Sequence, residues 1–311
     1  AEVPQGYRDP SPFTFKKGDT VAILGNGLAD RMQHDGWTET LLQSQLKGKE
    51  VSFRNMSLSG DRPNQYPRSR GFTSMGQYLQ HVKADVVFAM FGYNESFSGP
   101  EAADSYRKLL VEFVAKIRSY KPNGKDFPRI VLFSPIAFED LKNPNLPGGK
   151  AHNKNLSAFS KATREAAREA GVAYVDLFEP TLKLFEEQKE ALTLNGVHLN
   201  EFGNKKLGEV ITQALLKTQT IGSPSQEELR QAVLEKNWHW HNRYRATDGN
   251  DVWGGRSGLR FVDDQSNAEV LQHELVMLDV MTSNRDKLVW ATAEGKKYKV
   301  DDSNVPSAIK V

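Results

Sequence analysis

The run Asp85–Phe91 (DVVFAMF) constrains this chain more than any other feature, because after its leading aspartate it is continuously apolar. A short run of that kind, bounded by polar residues, reads as a parallel strand covered on both faces. Four further β-rich runs accompany it: Asp19–Leu24 (DTVAIL), Val51–Asn55 (VSFRN), Arg129–Phe133 (RIVLF) and Val172–Asp176 (VAYVD). Between them, Thr38–Leu46, Ser105–Tyr120 and Leu156–Ala170 carry apolar residues at helical spacing. The alternation predicts an α/β fold of three layers, a five-stranded parallel sheet with helices on both faces and right-handed crossovers. In such sheets ligands bind beyond the carboxyl ends of the strands, so chemistry is to be sought in the residues that follow each strand.

A helix over Gly208–Lys217 closes this domain, taken as residues 1–217. The polar stretch Thr218–Ser225 reads as a linker. A C-terminal extension over 218–311 follows, expected to pack on the first domain: a helix over Gln226–Lys236, then an aromatic, Arg-rich stretch over Trp238–Phe261. The 311 residues suit one α/β domain plus such an extension. A net charge of +2 gives no reason to expect a nucleic-acid footprint or a membrane-binding surface. No stretch approaches the roughly 20 apolar residues of a membrane span. The absence of cysteine excludes disulfides, zinc thiolate sites and a cysteine nucleophile. The opening Ala1-Glu2-Val3-Pro4 reads like a mature end left by signal-peptide removal, which implies a periplasmic or secreted protein.

Four blocks follow strands or close the domain: Gly25-Asn26-Gly27-Leu28, Asn55 to Asp61 (NMSLSGD), Gly92-Tyr93-Asn94-Glu95, and Asn195 to Asn200 (NGVHLN). In this order and spacing, over roughly residues 17–217, the chain resembles the SGNH (GDSL-like) hydrolases, whose blocks read GDSL, a glycine, GxND and DxxH. The resemblance implies a sheet order of 2-1-3-4-5 and acyl transfer at an ester. In the family a serine attacks the carbonyl, a histidine takes its proton, an aspartate orients the histidine, and backbone and Asn donors hold the oxyanion.

Carried over residue by residue, His198 matches the base, Gly60 the glycine donor and Asn94 the asparagine donor. Gly27 stands where the family has serine, and Asn195 where it has the orienting aspartate. The resemblance extends to a divergent subgroup of secreted bacterial GDSL-like domains in which this departure is expected. No Ser, Thr or Cys lies between Val21 and Trp37, and Asp30 is the nearest side chain able to replace the nucleophile or base. The implied route is therefore His198 activating water directly, with Asn195 orienting the ring, on a small-molecule or glycan ester and with no cofactor. A reading of another class stands beside it: a binding module that kept the pocket and lost the chemistry.

Other residues carry weaker signals. Asn26, Arg31, Arg62 and Glu95 are candidate substrate contacts, Arg62 and Arg31 for an anionic or polyhydroxyl ligand because guanidinium offers a planar fork of donors. Arg68 and Arg70 share the region. Each has a structural reading: Asp30 as a first-turn helix acid, Gly60 as a turn glycine, the arginines as solvated or ion-paired. His239 and His241 would share one face of a strand, but no third metal ligand is near. Trp238, Trp240, Tyr244 and Trp253 read as packing the extension against the first domain, with a carbohydrate platform as the alternative.

Overall fold

The computed structural model describes residues 2–218, 226–246, 249–262 and 264–309, the side chains at 261 and 262 excepted. Five strands, β1 (Thr20–Gly25), β2 (Ser52–Asn55), β3 (Val86–Met90), β4 (Arg129–Phe133) and β5 (Ala173–Val175), form an all-parallel sheet in the order β2-β1-β3-β4-β5. Each lies within one residue of an expected run at either end. Alternation along the strands divides the core in two. Val21, Ile23, Phe88, Met90, Val131 and Phe133 face α1 (Gly27–Asp35), α2 (Trp37–Gln45) and α8 (Glu201–Leu216). Ala22, Leu24, Val87, Ala89, Ile130 and Leu132 face α3 (Met75–Val82), α5 (Ala103–Tyr120) and α6 (Gly149–Ala170). Period-2 side-chain direction on a sheet covered twice explains why β3 has no polar face. Two further helices, α4 (Tyr93–Ser96) after β3 and α7 (Phe178–Glu187) after β5, complete the first domain.

The extension contains α9 (Gln226–Arg245), α10 (Gly249–Val252), a short antiparallel pair β6 (Arg260–Val262) and β7 (Gln265–Ser266), and α11 (Asn267–Ala293). Its side chains close the β2 edge of the sheet. The backbone carbonyls of Val51, Phe53 and Asn55 accept hydrogen bonds from Trp290 Nε1 at 2.9 Å, Lys236 Nζ at 3.1 Å and Trp240 Nε1 at 2.7 Å. An uncovered strand edge offers a row of unpaired groups to other chains, and a buried carbonyl without a partner costs about 1–3 kcal/mol. Two buried ion pairs hold the same seam: Lys236 with Glu39, and Arg54 with Asp286.

Three expectations need correction here. The helix beginning at Gln226 does not stop at Lys236 but runs to Arg245. Its last turns are rich in aromatic and β-favouring residues, and burial against β2 overrides that propensity. His239 and His241 therefore sit on a helix, where positions two apart do not share a face. His239 Nδ1 is bound to the Glu235 carbonyl, His241 packs edge-on against His34, and no metal-holding cluster occurs among the described residues. Trp240 is buried and Tyr244 with it, but Trp238 is 62% exposed and its ring stands edge-on to His239 of its own helix. The longest helix, α11, was not expected at all, because its apolar residues are spread around the cylinder instead of forming a stripe. The expected linker lies, beyond Thr218, outside the described residues.

Candidate active site

The carboxyl ends of β1, β3 and β4, the turn after β2 and the loop before α8 meet around one cleft of about 100 Å³. Gly27, Asn94 and His198 line it together, as do Asn26 and Arg31. Gly60 does not; its neighbour Ser59 does. At the floor, Gly27 is the first residue of α1, and the preceding Asn26 makes no side-chain capping bond. The uncapped helix start thus leaves backbone N–H groups directed at the cleft, an arrangement that favours negative charge. Asn26, which lines the cleft, is 2% exposed, and its buried Nδ2 has no partner among the described residues.

His198 is half-buried on a loop that two devices hold in place. Thr193 and Leu199 form a single antiparallel bridge, and Leu194 N–H bonds to His198 O at 2.8 Å. Beneath the loop, the buried Glu139 carboxylate accepts from Leu192 N–H, Thr193 N–H and Thr193 Oγ1, the last two at 2.7 and 2.6 Å. Glu139 gave no signal in the sequence; only the tertiary fold brings it under the loop. Gly196 has φ +87°, and a Cβ there would meet Phe138 Cζ at 2.4 Å and Glu139 O at 2.8 Å, so this position takes only glycine. Asn195 Oδ1 accepts the backbone N–H groups of Val197 and His198 and stands 3.1 Å from His198 Nδ1. Asn195 Nδ2 stands 3.0 Å from the same ring nitrogen, so the amide can accept the Nδ1 proton through Oδ1 or donate to Nδ1; the first arrangement leaves a lone pair on Nε2 toward the cleft. Burial first, and the positive charge of Arg31 second, hold the His198 pKa below the usual imidazole range. The ring is consequently neutral near pH 7, the state a general base needs.

A Cβ built on Gly27 would stand 4.0 Å from His198 Nε2 and 3.9 Å from Ser59 Oγ. The position lacking a nucleophile is therefore placed correctly with respect to the base. Asp30, one turn along α1, accepts a hydrogen bond from Ser59 Oγ at 3.0 Å. Asn94, on α4, donates from Nδ2 to Ser59 O at 3.1 Å and more weakly to Asp61 O at 3.5 Å. Part of its donor capacity thus secures the turn after β2, and the long bond is the one a ligand oxygen would displace.

Of the remaining candidates, Arg31 alone borders the cleft. Arg31 lines its rim, is exposed, and has no hydrogen-bond or ion-pair partner among the described residues. Arg62 is exposed and Glu95 buried, and neither of these two candidate substrate contacts lines the cleft. Glu95 Oε2 accepts Gly92 N–H at 2.8 Å, and burial holds its carboxyl above the usual range. Arg68 forms a two-pronged pair with Asp61 at 2.6 and 2.8 Å and bonds Tyr244 Oη, a structural use of its fork. Arg70 belongs to a separate surface depression beside Trp253. At the other side of the cleft, Tyr93 packs edge-on against Phe97, which is 62% exposed.

The sheet order agrees with comparisons to known proteins. No curated protein matches the chain. A GDSL-like lipase candidate from Parabacteroides merdae shares the fold at a TM-score of 0.50 and 15% identity, over 65% of this chain and 97% of its own. A catalytic mutant of an acetylxylan esterase from Geobacillus stearothermophilus aligns at a TM-score of 0.47 and 16% identity, over 67% of this chain and 98% of its own. The acetyl xylan esterase AlAXEase gives 0.46 and 19%, over 63% and 100%. The model of the GDSL-like lipase/acylhydrolase family matches residues 15–206, more than half of the sequence. The chain belongs to that family, the SGNH hydrolases.

Proposed function

We propose that this chain hydrolyses esters of small acyl groups, with His198 as general base toward water and no acyl-serine intermediate. One observation carries the reading: Nε2 of His198 stands 4.0 Å from the side-chain position of Gly27, where the family places its nucleophile. The tautomer that suits the task is the one in which Asn195 Oδ1 takes the Nδ1 proton. Donors for a developing oxyanion are at hand in the start of α1, the Asn26 amide and the longer Asn94 bond. The cleft volume of about 100 Å³ supports a small acyl group, being below the roughly 150 Å³ that admits benzene in an engineered cavity. The exposed Phe97 at the Tyr93 side and the unpartnered Arg31 at the other suit a polyhydroxyl alcohol portion, so acetylated glycans are the substrate class to try first.

Purified protein should release acetate from acetylated xylan or p-nitrophenyl acetate, and His198→Ala should not. Release that survives His198→Ala but disappears in Asp30→Ala would assign the base to the carboxylate. Saturable binding of an acetylated oligosaccharide without release would favour the binding-module reading, for which the loss of Ser at position 27 is the supporting observation.

A further inference from the structure

We propose that Gly27 is glycine because the space of its missing side chain is the site of the attacking water, held between His198 Nε2 and Ser59 Oγ. The inference rests on the hydrolase reading and names the atoms that hold the nucleophile.

Two glycines stand two residues apart and differ in what requires them. A Cβ at Gly25 would come within 2.5 Å of Met90 O and 2.8 Å of the Ala29 Cβ, so the packing of β1 against β3 and α1 excludes a side chain. At Gly27 nothing excludes one. The nearest heavy atoms to a Cβ lie at 3.9 and 4.0 Å, ordinary contact distances, and φ is outside the left-handed region. Gly27 opens a helix, where alanine is the better residue. Sterics, backbone conformation and propensity all permit a side chain, and both atoms nearest to it are polar.

The hydrogen-bond directions suit a water there. Ser59 Oγ gives its proton to Asp30 Oδ2 at 3.0 Å, so it turns lone pairs outward. His198 Nε2 is likewise an acceptor in the tautomer whose Nδ1 proton goes to Asn195 Oδ1. A water between them donates one proton to each and keeps a lone pair for the cleft. Its oxygen then attacks the ester carbonyl carbon while the proton toward Nε2 passes to His198. The resulting tetrahedral oxyanion collapses, the carbon–alkoxide bond breaks, and the imidazolium returns the proton to the leaving alkoxide. Acid and alcohol are formed, and the enzyme is regenerated with no oxidant or cofactor. Ser59 orients the water; Asp30 acts through Ser59 as a positioning residue.

The test compares wild type, Gly27→Ala, Ser59→Ala, Ser59→Thr and Asp30→Asn in the full chain on p-nitrophenyl acetate, with thermal melting for each. A methyl at position 27 occupies the water's place, so Gly27→Ala should lower kcat by about 10²-fold or more with KM and Tm held or Tm raised. Ser59→Ala should lower kcat about tenfold at constant KM, the worth of one neutral hydrogen bond, and Ser59→Thr should restore it. Asp30→Asn, which replaces a charged acceptor of the Ser59 proton by a neutral one, should lower kcat at constant KM, by less than Ser59→Ala does. Gly27→Ala as active as wild type overturns the water site and leaves the hydrolase reading standing, as does a Ser59 adduct after fluorophosphonate treatment. Wild type inactive on every ester overturns the hydrolase reading itself. A high-resolution crystal structure decides the site independently of activity: no water within hydrogen-bond distance of both Nε2 and Oγ overturns it.

Discussion

The cleft at the carboxyl ends of the strands and the seam at the β2 edge both bring polar groups together, and they treat them in opposite ways. At the seam, Lys236 is 1% exposed and its ammonium spends its three protons on Glu39, Phe53 O and Asn237. Arg54 and Asp286 meet through two parallel bonds beside it. In the cleft, by contrast, His198 Nε2, Asn26 Nδ2 and Arg31 have no protein partners among the described residues. At the seam each buried charge meets an opposite one and holds an extension against an edge strand, with Glu39 Oε1 the atom left without a hydrogen bond; in the cleft the polar groups have no such partner and are open to a ligand. That difference separates structural from chemical polarity.

The comparison breaks if the two regions respond alike to mutation. The largest effect is expected in the cleft, where His198→Ala should cut kcat by about 10²–10⁴-fold, the usual contribution of a general base, without lowering Tm. Steady-state kinetics and melting on the same preparation check both halves. At the seam, Lys236→Ala or Asp286→Ala leaves a buried charge alone and should cost about 3–5 kcal/mol in urea unfolding. The ester kcat of the folded fraction should stay at the wild-type value.

A smaller effect tests whether the cleft keeps the family's geometry. Gly27→Ser places a hydroxyl within reach of His198. Asn195 cannot support imidazolium as aspartate does, and an Asp-to-Asn change in a serine triad elsewhere costs about 10⁴-fold. Fluorophosphonate should therefore label Gly27→Ser slowly and Gly27→Ser/Asn195→Asp much faster; equal labelling would show that Asn195 does not limit the site.

The next effect is a displacement along the pH axis. His198 is active as a base only when unprotonated, so the rate should rise as pH passes through its depressed pKa, below the ordinary value of about 6.5. Arg31→Gln removes one cause of the depression and, on p-nitrophenyl acetate, which has no polyhydroxyl portion for Arg31 to hold, should move that acid limb upward, lowering the rate only at acidic pH. The same depression means that the unfolded chain binds the proton more tightly, so His198 contributes a loss of stability as pH falls below about 6.5. The smallest effect belongs to Arg62→Ala, which lies outside the cleft and should leave kcat and KM within twofold, about 0.4 kcal/mol.

The five strands, their order and the approximate cleft were legible in the sequence, because buried parallel strands write themselves as apolar runs and the blocks follow them. Gly27, Asn94 and His198 could be named from their place in those blocks. Glu139, Ser59 as a cleft residue, and the exclusion of Arg62 and Glu95 could not. Glu139 acts on a loop more than fifty residues away, with Leu192 and Thr193 at sequence separations of 53 and 54, and no local pattern encodes that pairing. Arg62 and Arg68 have similar neighbours in sequence, yet one is solvated and the other locked onto Asp61, a distinction made by Tyr244 arriving from α9.

The sequence by itself determined that this is an α/β chain with a histidine in its last block, no serine at position 27 and no cysteine chemistry. It did so through periodicity and residue identity, which are local properties. Only the tertiary structure decided that the glycine at 25 is compelled by packing while the one at 27 is not, and that the extension completes an edge strand with Trp240, Lys236 and Trp290. Those outcomes depend on which backbone and side-chain atoms of distant segments come within a few ångströms of each other, and distances of that kind exist only once the chain has closed upon itself.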